Sequence, residues 1–119
     1  MGNPVIHFEV TGKDGEALKG FYEQLFGWKT QAVPELGYWL VEKEGDGVAG
    51  GIGNSQEGPG MVTFYVQVDD PQAALDKAES LGGKTVLPVM TIPNMVTLAL
   101  FADPEGQVVG IVGSQTPES

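Results

Sequence analysis

Polar and apolar positions alternate over Ile6-His7-Phe8-Glu9-Val10, the period-two pattern of a half-buried strand. The segment Val62-Thr63-Phe64-Tyr65-Val66 is likewise strand-like. Each segment is followed by an acid, Asp14 or Asp70, and then by a change to helical periodicity. Leu18, Phe21, Tyr22 and Leu25 fall at i, i+3, i+4 and i+7 and predict one apolar stripe, with Gly27 as the stop. Asp70-Pro71 supplies a capping acid and a first-turn proline for the second helix. Its predicted buried stripe is Ala74, Ala78 and Leu81, ended by Gly82-Gly83. Short strands are predicted after each helix: 29–33, 38–42 and 48–52 in the first half, and 84–87, 97–101 and 108–112 in the second. Pro34, Pro93 and Asp103-Pro104 punctuate them as turns.

The chain therefore reads as one pattern used twice. Phe8 and Phe64, Val10 and Val66, and Asp14 and Asp70 are each 56 positions apart. Lys29-Thr30 recurs as Lys84-Thr85, and Gly47, Gly51 and Ile52 recur as Gly106, Gly110 and Ile111. Small drifts in the offset are what loop insertions leave behind. The expected architecture is α+β, a single domain of two βαβββ modules spanning 4–53 and 61–113. A polar, glycine-rich linker at 54–60 joins them, and a frayed tail at 115–119 ends the chain.

Composition narrows the function. The 119 residues include 16 acids against 6 basic residues, all of them Lys, for a net charge of −10. Phosphate neutralisation, and with it nucleic-acid binding, is disfavoured, and no guanidinium fork is present for phospho-substrates. Zero Cys removes disulfides, thiolate metal sites and a thiol nucleophile. No apolar run approaches the roughly 18 to 20 residues of a membrane span. The N-terminus has no basic region followed by an apolar run, so a cytoplasmic location is expected.

The motifs His7-Phe8-Glu9-Val10, Phe21-Tyr22-Glu23-Gln24-Leu25-Phe26-Gly27-Trp28, Gly50-Gly51-Ile52-Gly53, Ala78-Glu79-Ser80-Leu81-Gly82-Gly83-Lys84 and Phe101-Ala102-Asp103-Pro104-Glu105-Gly106 run in order along nearly the whole chain. In this the sequence resembles the vicinal oxygen chelate superfamily, which includes glyoxalases, bleomycin-resistance proteins and extradiol dioxygenases. The resemblance implies mostly antiparallel sheets that curl into a cup with the helices outside. It also implies, in the enzymes, a divalent metal held from the first and last strands of each module. Fold analogy does not choose among these chemistries.

On that frame His7, the sole histidine, holds the first-strand ligand position, and its second-module counterpart is Thr63. The last-strand positions, acidic in the metal enzymes, fall on Gly51 and Gly110. One imidazole does not make a catalytic metal site, which typically uses about three protein ligands. Glu9 and Glu42 are the available substitutes. Strand alternation sends Val5, His7 and Glu9 to one face and Ile6, Phe8 and Val10 to the helix-packed face. His7 and Glu9 then enter the cup, with Thr63 and Tyr65 opposite. Space left by Gly51 and Gly110 would admit an organic molecule, and Trp39 is either a stacking platform or a packing residue. Trp28 reads as a packing anchor. Burial would raise the pKa of Glu9, and a close carboxylate would raise that of His7.

The leading expectation is a small-molecule-binding protein without the standard metal site and without a cofactor. Its ligand would contact His7, Glu9, Trp39, Gly51, Thr63, Tyr65 and Gly110, with a homodimer as one possible assembly. Alternatives are a metal-dependent lyase, isomerase or dioxygenase using His7, or a metal-free acid–base enzyme using His7 and Glu9. A third is a protein whose surface binds another protein.

Overall fold

The computed structural model describes residues 2–55, 58–93 and 96–113. The expected frayed tail 115–119 and residues 56 and 57 of the linker lie outside the described residues. The fold is α+β, and the chain divides into two compact units, Ile6–Phe64 and Tyr65–Ser119 together with Met1–Val5. In chain order the first module holds β1 (Val5–Gly12), α1 (Gly15–Phe26), β2 (Thr30–Val33), β3 (Tyr38–Val41) and β4 (Gly50–Asn54), with a 3-10 turn at Pro34–Leu36. The second holds β5 (Val62–Val68), α2 (Pro71–Ser80), β6 (Lys84–Ile92), β7 (Val96–Ala102) and β8 (Val108–Gly113).

The two modules share one strand plan. In the first the order is β2-β3-β4-β1, with β1 parallel to β4 and the other pairs antiparallel. In the second it is β6-β7-β8-β5, with β5 parallel to β8 and the rest antiparallel. The repeat extends to individual hydrogen bonds. Asp14 caps α1 by accepting from the Ala17 N–H at 3.0 Å, and Asp70 caps α2 by accepting from the Ala73 N–H at 3.2 Å. The Thr30 hydroxyl donates to Glu23 at 2.6 Å, and the Thr85 hydroxyl donates to Glu79 at 2.7 Å. In each module this bond latches the strand after the helix to the helix's last turns.

In the first unit Val10, Val41 and Ile52 are buried, with Phe8, Leu18, Tyr22 and Trp28 packed around them. Trp28 is the anchor that its position suggests, with ring centroids 5.2 Å from Phe8 and 5.5 Å from Tyr22. In the second unit Leu75, Ala99 and Ile111 form a buried cluster, supported by Val66, Val68, Ala74, Val89 and Phe101.

Three expectations are corrected. The α1 stripe is only half used, because Leu18 and Tyr22 pack while Phe21 and Leu25 stay 56% and 57% exposed. On α2 the buried face centres on Leu75, whereas Leu81 is 69% exposed. Leu81 is the C-cap, so it leaves the helical stripe at the point where the chain turns into Gly82 with φ 102°. The strand expected to stop at Leu87 runs on to Ile92, past Pro88. Pro88 is tolerated because β6 is the terminal strand of its unit's order and its register shifts between Leu87 and Met90.

Candidate functional site

Alternation along β1 sorts its side chains as the sequence pattern requires. Phe8 and Val10 join the helix-side core. His7 and Glu9 therefore occupy the other face of the strand, where both are half-buried. On β3, Val41 is in the core, so Tyr38 and Leu40 share the face of His7 and Glu9 while Trp39 shares the face of Val41. The register confirms this, since Trp39 pairs with the core residue Ile52.

Strand β4 is the floor of this arrangement. Glu9 pairs with Gly51 on one side of it and Leu40 with Gly51 on the other. Any side chain at position 51 would overlap the Tyr38 phenol, and one at position 53 would meet the same ring. On the opposite face, a side chain at position 50 would overlap the ring of Phe8. The glycine run Gly50-Gly51-Ile52-Gly53 thus leaves room for one aromatic ring on each face. The expectation that Gly51 opens space for an organic molecule is corrected here, because Tyr38 fills that space. In the second unit Tyr65 pairs with Gly110 in register, and its ring lies where a side chain at position 110 would stand.

Lying across Gly51, the Tyr38 hydroxyl reaches two polar groups of β1. It lies 2.9 Å from His7 Nε2 and donates to Glu9 Oε1 at 3.0 Å. A phenol has one proton, and here that proton goes to the carboxylate. In the tautomer that carries its hydrogen on Nε2, His7 donates to the phenol oxygen. The His7 and Tyr38 rings are nearly coplanar, 19° apart with centroids 6.5 Å apart. The result is a polarised line, imidazole to phenol to carboxylate. Burial pushes the His7 pKa below its usual value of 6.5, since a half-buried imidazole loses hydration on charging. The expected upward shift from a neighbouring carboxylate is thereby reversed, and Tyr38 stands between the two groups.

Tyr38 is the member of this candidate site that reading the sequence alone missed. Its signal was present: two glycines at i and i+2 on one strand face need a large residue from a neighbouring strand to cover them. Of the expected site residues, His7, Glu9 and Gly51 are brought together, by Tyr38. Trp39 is on the opposite face from them. Glu42 is exposed beyond β3 and lines a surface hollow of about 220 Å³ with Phe8, Trp28 and Val41. Thr63 is buried on β5, and Tyr65 and Gly110 form their own pair in the second unit.

The divalent metal implied by the family resemblance can be tested against these residues. Both last-strand positions are glycines covered by tyrosine rings. Among the described residues, no group of three or more His, Cys, Asp or Glu side chains is placed to hold an ion. The donor set does not fit the standard site.

A βαβββ module built twice, with its first strand parallel to its last, is the plan of the vicinal oxygen chelate fold. A family model described as a Glyoxalase-like domain matches residues 7–112, and the chain belongs to that family. The anthracycline biosynthesis protein DnrV of Streptomyces peucetius is 30% identical over 122 residues, which cover 87% of this chain and 44% of DnrV. The putative glyoxylase CFP32 of Mycobacterium tuberculosis is 31% identical over 106 residues, covering 82% of this chain and 41% of CFP32. The chain thus spans less than half the length of these two relatives. Among solved structures, methylmalonyl-CoA epimerase from Mycobacterium tuberculosis superposes with a TM-score of 0.67 at 12% identity, covering 94% of this chain and 88% of that one. That likeness concerns the fold alone. Among the described residues no helix is long and apolar enough to cross a membrane.

Proposed function

We propose that this chain binds a small organic molecule at the His7–Tyr38–Glu9 line, without a divalent metal. The observation that carries the reading is one phenol within hydrogen-bond distance of both an imidazole and a carboxylate. Neutral imidazole, phenol and carboxylate together suit the hydroxyl and carbonyl groups of an uncharged or cationic ligand. A coenzyme A thioester suits them poorly, because a chain of net charge −10 with no Arg has little to offer a diphosphate. The relationship to DnrV, named for anthracycline biosynthesis, supports a hydroxylated aromatic ligand.

A second reading has a specific observation in its favour. The donor order His7 to Tyr38 to Glu9 is a path along which a proton can shift, and an imidazole kept neutral at pH 7 is able to accept one. On this reading the chain is a metal-free acid–base enzyme that uses His7 and Glu9, with Tyr38 joining them.

A thermal-shift titration with an anthracycline, hydroxylated quinones and methylmalonyl-CoA tests both readings. A ligand at 100 times its Kd stabilises by about 2.7 kcal/mol. The anthracycline or a quinone is expected to raise the melting temperature of the unaltered chain and much less that of Tyr38→Phe. Mass spectrometry of the recovered compound separates binding from turnover. An equal shift in Tyr38→Phe, or no shift across the panel, would remove this site from consideration.

A further inference from the structure

We infer that Asn54 is a positioning residue for the His7–Tyr38–Glu9 line: it clasps the turn that delivers Tyr38 and ties that turn to the start of α1. The inference rests on the reading of that line proposed above and names the residue that sets its geometry.

Asn54 ends β4, one residue beyond Gly53, the register partner of Tyr38. Its backbone N–H donates to the Gly37 carbonyl at 3.2 Å. Its side-chain nitrogen lies 2.9 Å from the point where a side chain at residue 37 would begin, so the amide covers the bare backbone of Gly37. Gly37 has φ 59°, a left-handed conformation that suits glycine, and its own N–H closes the 3-10 turn onto the Pro34 carbonyl at 3.1 Å. Tyr38 is the next residue, so this corner sets the direction in which its ring crosses β4. The other end of the same amide, Oδ1, accepts from the N–H of Gly15 at 2.7 Å. Gly15 is the first residue of α1, where a backbone N–H has no partner inside the helix.

The second module is a natural comparison. Gly113 stands 59 positions after Asn54, the offset of the last-strand glycines, and Pro71 stands 56 after Gly15, the offset of the capping acids. A proline has no N–H to satisfy, and a glycine has no side chain to satisfy it. A side chain at 113 would meet the Pro71 ring at 3.5 Å, so this strand end and helix start adjoin there without a polar link. Seating the last strand against the helix therefore does not in itself call for an asparagine. The modules differ in what covers the last-strand glycine. In the second module the ring over Gly110 comes from Tyr65 on β5 itself, whereas the ring over Gly51 comes from Tyr38, immediately after a turn. The asparagine is found where a turn has to aim the ring.

A two-dimensional NMR comparison of the full 119-residue chain with Asn54→Ala, Asn54→Asp, Tyr38→Phe and Asp14→Ala tests this. Two signals read the site. One is the Overhauser contact between the Tyr38 ring and the Gly51 α-protons, and the other is the ring cross-peak of His7, unique because the chain has one histidine. Asn54→Ala is expected to lose the contact and, like Tyr38→Phe, to shift the His7 cross-peak. Asn54→Asp keeps an acceptor for Gly15 and is expected to retain both signals; their loss there would overturn the link to α1. Asp14→Ala removes the cap from the same helix start and is expected to lower stability while moving neither signal. Asn54 is exposed, so its truncation removes no buried volume. Should Asn54→Ala not fold, Asn54→Ser, too short to reach both Gly15 and Gly37, is expected to give the same losses. A contact intact in the folded variants, or lost equally in Asp14→Ala, would overturn the role of Asn54 and leave the proposed site standing. No contact in the unaltered chain would overturn the placement of Tyr38, and the proposed site with it.

Discussion

The hydroxyl of Tyr38 occupies the position from which a side chain of residue 51 would project, so Gly51 is less a gap than a seat. Gly51→Ala is expected to push the ring off both His7 and Glu9. Overpacking of this kind costs about 1 to 3 kcal/mol. In a Tyr38→Ala background the same substitution should cost far less, because the overlap is gone. Urea unfolding of the four proteins closes the cycle, and equal costs in both backgrounds would show that the ring is not what position 51 meets.

Tyr38→Phe keeps the ring over the glycines and removes only the oxygen. His7 and Glu9 are half-buried, and each loses one hydrogen bond. A loss of about 1 to 2 kcal/mol is expected, smaller than for Tyr38→Ala, which also forfeits packing. A melting temperature unchanged within error would mean that the hydroxyl does not hold these two groups.

Acidification should weaken the fold through His7. Its folded pKa lies below the ordinary 6.5, so between the two values the unfolded chain binds more protons than the folded one. The contribution is complete above about pH 6.5 and declines as the pH falls through the folded value. His7→Gln keeps a donor for the phenol but does not titrate. The difference in stability between pH 7.5 and pH 5.5, measured by urea unfolding, is expected to be smaller in His7→Gln than in the unaltered chain. Identical differences would remove His7 from the pH response.

The duplicated caps provide a matched pair. Asp14→Ala and Asp70→Ala each delete the side chain that accepts from the third residue on, and each is expected to cost about 1 kcal/mol. Hydrogen exchange should show the effect confined to the first turn of the substituted helix. Protection lost equally in both helices from either substitution would contradict local capping.

Much of the fold was legible because the features that set it are local in sequence. Asp14 and Asp70, 56 positions apart, each mark a helix start, and Phe8 and Val10 on one parity of β1 mark the core face. The site was legible as far as β1 alone determines it, which places His7 and Glu9 together. Tyr38 was not, since its role depends on β3 lying next to β4 in a register that brings its ring over Gly51 and Gly53. Trp39 was ambiguous for the same reason: the parity of β3 is fixed by Val41 entering the core. The exposure of Phe21 and Leu25 is equally a matter of neighbours, because a helical stripe records what can be buried rather than what is.

Phe8 and Tyr38 press on β4 from its two faces at adjacent residues, with no side chain of Gly50 or Gly51 between them. The partition between the apolar interior and the polar line is there a single peptide thick. A substitution that resizes Phe8, or shifts Trp28 behind it, would move that partition and carry Tyr38 with it. The geometry of the His7–Tyr38–Glu9 line is therefore adjustable from the hydrophobic side, by residues that take no part in its hydrogen bonds.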